Sequence, residues 1–409
     1  MKNILRNIGP GTLVAAAFIG PGTLTVCTLA GVQFGFTLLW AMGLSIIATL
    51  VLQEMAMRLG LVYGKGLADT IKDQISNKVL KILALVLILS AIVVGNAAYE
   101  AGNISGGVLG VETFVNSSTL SMMGLQINYL SLIVGGIAFL LLYIGNYKVI
   151  ERVLVVLVIL MSLSFIITAW LTHPDFNAIL KGLFKPEIPE QGFLMILGLV
   201  GTTVVPYNLF LHAAIVKVKW QDKSQLKAAR IDSYISIILG GIVSMAIIVC
   251  AAAIQGTPIE NASDLAKGIE PLYGSFSKYI LSLGLFAAGI TSAITAPLAA
   301  AYVANECFGW KPSLKSLRFR IVWMTILFLG IIVSSIGYRP IEIIKFAQIT
   351  NGILLPVIVG FLLWVVNKRA VLGTNINSLF QNALGVAIFI TTIILGLRSL
   401  EKVFQITIF

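Results

Sequence analysis

Gly20-Pro21-Gly22-Thr23 sits inside the apolar stretch Leu13 to Phe36, which without it would read as one uninterrupted membrane-crossing helix. Proline removes a backbone donor and clashes with the preceding turn, and glycine admits unusual dihedrals, so the helix is expected to unwind at its midpoint. A second interrupted stretch, Phe193 to Val216, carries Thr202-Thr203-Val204-Val205-Pro206-Tyr207-Asn208. In hydrocarbon, freed carbonyl and amide groups persist only against protein or a water-filled cavity, so the two interruptions are expected to face each other across a central site. Broken segments at matching places in two halves are the mark of an inverted-repeat secondary transporter. Plain proline kinks would account for Pro21 and Pro206, but not for the Thr, Tyr and Asn residues around them.

Outward from these breaks the chain is apolar almost throughout. Of 409 residues, 58% are hydrophobic and 11% charged, with a mean hydropathy of +0.98; soluble domains carry about 25% charged residues. Runs long enough for a ~30 Å hydrocarbon core recur near residues 10–33, 36–62, 78–106, 127–146, 152–172, 192–216, 230–255, 273–304, 319–337, 342–366 and 379–398. The expected fold class is an all-α polytopic membrane protein of about eleven transmembrane helices, with helices one and six broken. It forms a single transmembrane transporter domain over 1–409, with a first five-helix repeat at about 10–172, a second at about 192–366 and an additional helix at about 379–398. The first span has internal Gly and Pro and no small-residue cleavage site, so it reads as retained.

The net charge of +11 is explained by topology and not by a nucleic-acid partner. Most Lys and Arg residues fall on alternate loops, among them Arg58, Lys65, Lys72, Lys78, Lys81, Arg230, Lys368 and Arg369. The other side receives Lys181, Lys185, Lys267, Lys278, Arg339, Lys345, Arg398 and Lys402, and 105–126 has none. The positive-inside rule then expects a multi-pass protein of the cell inner (plasma) membrane, its N-terminus cytoplasmic and its C-terminus outside. The lipid bilayer is the partner this composition names; no partner protein is indicated. Cys27, Cys250 and Cys307 lack metal-ligand spacing and read as structural thiols. With only His173 and His212 and no nucleophile, base and orienting carboxylate in view, neither an enzyme nor a cofactor is expected.

The sequence resembles the Nramp family of divalent-metal transporters. The resemblance rests on Gly9-Pro10-Gly11 to Gly22, on Leu38-Leu39-Trp40 through Gln53, on Arg58-Leu59-Gly60 to Gly64-Lys65, and on Pro206-Tyr207-Asn208-Leu209-Phe210-Leu211-His212. It implies a LeuT-like fold with 5+5 inverted repeats and alternating access around a midplane site. Metal-carrying members read Asp-Pro-Gly-Asn at the first break and Met-Pro-His at the second, where Asp, Asn and Met hold the metal. Gly20 stands at the Asp position, Thr23 at the Asn, Val205 at the Met and Tyr207 at the His.

The chemistry of this replacement can be argued from the residues alone. Borderline metals want sulfur, imidazole or carboxylate ligands, and hard divalent ions want carboxylates. The residues at the breaks are Gly20, Pro21, Gly22, Thr23, Thr202, Thr203, Val205, Tyr207 and Asn208, joined by Gln348, which matches a family glutamine by its spacing to Pro356. Each second half-helix presents unsatisfied amides and a positive dipole end at the site, which favours an anion. The expected substrate is therefore a small inorganic ion, first a monovalent anion such as bicarbonate, with a divalent cation (magnesium or manganese) as the alternative. No metal-ligand set is expected.

Ionisable residues inside spans default to functional hypotheses. The resemblance places Glu100 at the first of two acidic positions in a proton pathway, with Asn103 at the second, and keeps His212 one turn past Asn208. Thr291, Ser292 and Thr295 match the helix whose hydroxyls hold sodium in LeuT-like sites. Sodium and proton are thus the two candidate co-substrates. Hydroxyls bonded to their own helix, and a structural Glu100, are the plainer alternatives. Glu54 with Arg58 at i+4 reads as a structural pair.

Overall fold

The computed structural model describes residues 19–115, 118–122, 125–145, 148–310 and 315–404. The first half of span one, with Gly9-Pro10-Gly11, lies outside these residues. Its second half is α1 (Pro21–Phe34), followed by α2 (Leu39–Tyr63), the short α3 (Leu67–Gln74) and α4 (Lys78–Glu112). Next come α5 (Tyr129–Ile144), α6 (Lys148–Leu171), the short α7 (Phe176–Phe184), and the pair α8 (Phe193–Thr203) and α9 (Pro206–Lys219). The chain continues through α10 (Leu226–Ala252), α11 (Ser277–Phe308), α12 (Leu317–Ser335), α13 (Pro340–Val366) and α14 (Leu379–Phe404).

Among the described residues, nine helices are long and apolar enough to cross a membrane. The half-helix α1 and the 16-residue α5 occupy the two remaining positions of the expected eleven. Burial orders these helices. Across the most apolar window of Phe193–Lys219, 89% of residues are buried inside the protein, against 22% for Leu379–Glu401. The broken sixth span is therefore central, and α14 is peripheral with most of its surface toward lipid.

Helices without a hydrophobic drive toward one another associate by close backbone approach at small residues. Gly60 of α2 is such a point: a Cβ there would lie 2.1 Å from the Ala213 carbonyl oxygen of α9. Gly289 of α11 does the same against Gly107 of α4, at 2.4 Å from its amide nitrogen. The three thiols are buried and form no disulfide, and Cys250 Sγ donates to the Phe165 carbonyl, in keeping with a packing role.

Two departures from hydropathy stand out. α4 runs to Glu112 rather than ending near 106, and its 35 residues span about 52 Å at 1.5 Å each, well past the hydrocarbon core. The charge-free loop after it holds an antiparallel hairpin, β1 (Thr119–Met122) with β2 (Leu125–Asn128), pairing Thr119 with Asn128. That hairpin is tied to the end of α12 by an Ile127–Ile336 bridge.

Candidate substrate-binding site

Two half-helices begin at the centre of the bundle. Gly20 is extended (φ −87°, ψ 175°) and Pro21 takes the first helical position of α1. Val205 is likewise extended (φ −78°, ψ 119°) ahead of Pro206 in α9. Proline suits this position because its missing N–H would be unpaired there in any case. Neither Gly20 nor Val205 caps its helix with a side chain, so the positive end of each dipole is left for another partner. The second break is narrower than the sequence implied. Thr202 and Thr203 are the last residues of α8, and only Val204 and Val205 separate it from α9.

The two breaks meet through hydroxyls: Thr23 Oγ1 lies 2.9 Å from Thr202 Oγ1, both buried. Gln348 of α13 closes over them. A Cβ on Gly22 would come 2.2 Å from Gln348 Nε2, and a Cβ on Gly201 would come 1.9 Å from the Gln348 carbonyl oxygen. On the other flank the Pro21 ring rests on Gly106 of α4, where an added Cβ would lie 2.1 Å from Pro21 Cβ. Side chains at 106 or 201 would wedge these elements apart, whereas one at 22 would displace the Gln348 carboxamide.

Tyr207 opens α9, and its ring meets Tyr99 of α4 edge to face with centroids 5.2 Å apart. Asn208 follows, buried, with neither Oδ1 nor Nδ2 hydrogen-bonded, and Gln348 Oε1 also lacks a partner. The Tyr207 hydroxyl is unpartnered as well; a buried polar group left unpaired costs about 1–3 kcal/mol, so these four atoms are ones a ligand or water would satisfy. Gly20 offers only backbone, and the Val205 side chain is buried in the apolar core.

The other residues expected at the site take separate partners. Thr203 reaches the region, but its hydroxyl donates to the Leu199 carbonyl at 2.7 Å and faces Met42 Sδ at 3.7 Å. Because α8 stays helical to its end, the Thr203 hydroxyl turns toward α2 rather than toward Thr23. Glu100 accepts from Asn103 Nδ2 at 3.3 Å and packs on Gly330 of α12. His212 Nδ1 is 2.8 Å from Gln53 Oε1 of α2. Thr291 donates to Ala287 and Thr295 to Thr291, at 2.9 and 2.8 Å, so both hydroxyl protons are used on α11 itself. The buried Ser292 hydroxyl is unpartnered.

Sequence reasoning missed Tyr99, Met42, Gly106 and Gly201. Tyr99 lies beside Glu100 in a segment already of interest, but no spacing rule pairs it with Tyr207. The glycines owe their roles to tertiary approach, which periodicity does not show.

The arrangement offers neutral donors and acceptors and two helix N-termini. Among the described residues, no group of three or more His, Cys, Asp or Glu is placed to hold a metal ion.

The family described as natural resistance-associated macrophage protein-like matches residues 11–401. A divalent metal cation transporter MntH from Staphylococcus aureus (strain JH9) is 27% identical over 433 residues, covering 99% of this chain and 92% of its own. The protein of that name from Caldanaerobacter subterraneus subsp. tengcongensis is 23% identical, covering 95% and 91%. Among solved structures, a manganese transporter of Eremococcus coleocola superposes with a TM-score of 0.76 at 20% identity, covering 98% of this chain and 87% of that one. Mhp1, a nucleobase-cation-symport-1 family transporter, gives 0.59 at 12% identity, covering 97% and 93%. The fold is the LeuT-like one.

Proposed function

We propose that this chain, which belongs to the natural resistance-associated macrophage protein-like (Nramp) family and is a secondary transporter of that type, carries a small monovalent anion by alternating access, with bicarbonate the first candidate. One observation carries the reading: the half-helices α1 and α9 open onto a buried cluster of Thr23, Thr202, Asn208 and Gln348 that contains no carboxylate, imidazole or thioether of its own. Dehydrating a divalent cation calls for anionic ligands. A small oxyanion instead finds hydroxyl and carboxamide donors and two positive dipole ends.

A second reading is a divalent cation, manganese or magnesium. The names of the relatives stand behind this one rather than the first. It would use the free Asn208 Oδ1 and Gln348 Oε1 as oxygen ligands to a largely hydrated ion.

Proteoliposome flux separates the two. Bicarbonate uptake above empty vesicles, with no manganese or magnesium uptake, is the expected outcome. Robust divalent uptake without bicarbonate uptake would establish the second reading and end the first. For the driving ion we propose sodium over proton, on the unpartnered Ser292 hydroxyl; uptake unchanged when choline replaces sodium would reject it.

A further inference from the structure

A groove of about 840 Å³ runs along the outside of the bundle between the start of α4, the second half of α13 and Phe389 of α14. Its walls are Leu80, Leu83 and Leu87 of α4, facing Phe361 and Trp364. Pro356 and Gly360 of α13 also line it: at Gly360 there is no side chain, and even a Cβ would touch the Phe389 ring at 3.1 Å. One end is polar, formed by Gln74, Ser76 and Asn77, and Asn77 caps α4 by accepting from Val79 and Leu80. No acidic residue lines it.

Cations flank it. Lys368 holds its ammonium 4.3 Å above the Trp364 ring, so a wall of the groove carries a positive charge at its rim. Lys81 follows Leu80 in α4 and is half-buried. Lys72 is committed to Asp69 and to the Glu306 carbonyl oxygen, whereas neither Lys81 nor Lys368 has a carboxylate partner among the described ion pairs.

An apolar trough that lies along the hydrocarbon, closed at one end by hydrogen-bonding groups and cations, has the amphipathic form of a lipid. We propose that it is a binding site for one anionic glycerophospholipid, an acyl chain lying between α4 and α13 and the phosphate held at Lys368 and Lys81. Charge complementarity selects this occupant over a zwitterionic lipid, since each lysine near an anionic headgroup contributes about 1 kcal/mol. It also selects it over a second copy of the chain, which would bring its own lysines to the same rim. The site is on the helix that carries Gln348, so its occupancy bears on the segment of α13 past Pro356.

Native mass spectrometry of the purified full chain tests this, with phosphatidylglycerol and phosphatidylcholine of identical acyl chains supplied in competition. The expected result is preferential retention of phosphatidylglycerol, falling about fivefold with Lys368→Gln and further when Lys81→Gln is added. Leu83→Trp, which fills the trough from the tail side, is expected to reduce retention of both lipids. Equal retention of the two lipids by the parent chain would overturn the proposal. So would a preference that survives both lysine substitutions, or crosslinking through this face to a second copy.

Discussion

Two buried polar regions of this molecule follow opposite rules. Between α2 and α10, Arg58 (1% exposed) faces Glu54 (3%) at 3.1 Å, and its two terminal nitrogens donate to the Asn375 carbonyl and to Asn377 Oδ1. Arg230 adds a second cation to Glu54 at 2.8 Å. Both terminal nitrogens of the buried guanidinium are thus hydrogen-bonded, and its Nε lies within ion-pair distance of Glu54 without an aligned hydrogen bond. At the breaks, by contrast, there is no formal charge, and the amide atoms of Asn208 and the Gln348 oxygen are left without partners. In a low-dielectric interior a charge must be matched by permanent partners, while a neutral group can wait for a transient one. The first region is built to stay shut, and the second to be filled and emptied.

Breaking the matched region should have the largest effect. Glu54→Gln leaves a buried guanidinium without its counter-charge, a loss of about 3–5 kcal/mol. Arg230→Gln, at a residue whose side chain is 37% exposed, should cost about 0–1 kcal/mol. Apparent melting temperatures in one detergent check this; equal shifts for the two variants would mean that the pair is not buried as described.

The vacant region can be broken by adding volume. Gly201→Ala drives a Cβ into the backbone oxygen of Gln348, which cannot turn away, and should cost about 1–3 kcal/mol together with transport. Gly22→Ala meets only the end of the Gln348 side chain, which can rotate, so stability should hold better while transport falls. A Gly22→Ala chain that transports like the parent would remove Gln348 from the site.

A smaller effect sharpens the comparison. Thr23→Val and Thr202→Val should each weaken stability, and the double variant should show a coupling of about 0.5–1.5 kcal/mol across the 2.9 Å contact. Purely additive losses would mean that the hydroxyls do not meet.

Much of this was legible in the sequence. Spans could be read because a bilayer demands some twenty apolar residues from each, and the breaks because proline leaves a mark that no neighbour erases. Glu54 and Arg58 could be paired because i,i+4 residues share a helix face. Arg230, Asn375 and Asn377 could not, since their approach depends on how α2, α10 and the segment ahead of α14 pack. The hairpin Thr119–Asn128 hid in a segment distinguished only by its lack of charge. The resemblance located the central residues, but it could not show that Thr203 turns toward Met42 or that Tyr207 lies against Tyr99, because the first follows from how far α8 stays helical and the second from how α9 packs on α4.

The smallest expected effect falls on the residues whose hydroxyls are already used. Thr295 donates to Thr291, and Thr291 to Ala287 and Ala288, within one helix. A coordinating hydroxyl can keep such a bond and still offer a lone pair, so the hydrogen bond alone does not decide its role. Substitution does: Thr295→Val keeps the shape, removes the oxygen, and should change stability by less than about 0.5 kcal/mol. If the sodium dependence of uptake is also unchanged, the coupling ion is held elsewhere and Ser292 becomes the hydroxyl to test; if it is lost, α11 contributes through acceptors that its own hydrogen bonds leave free.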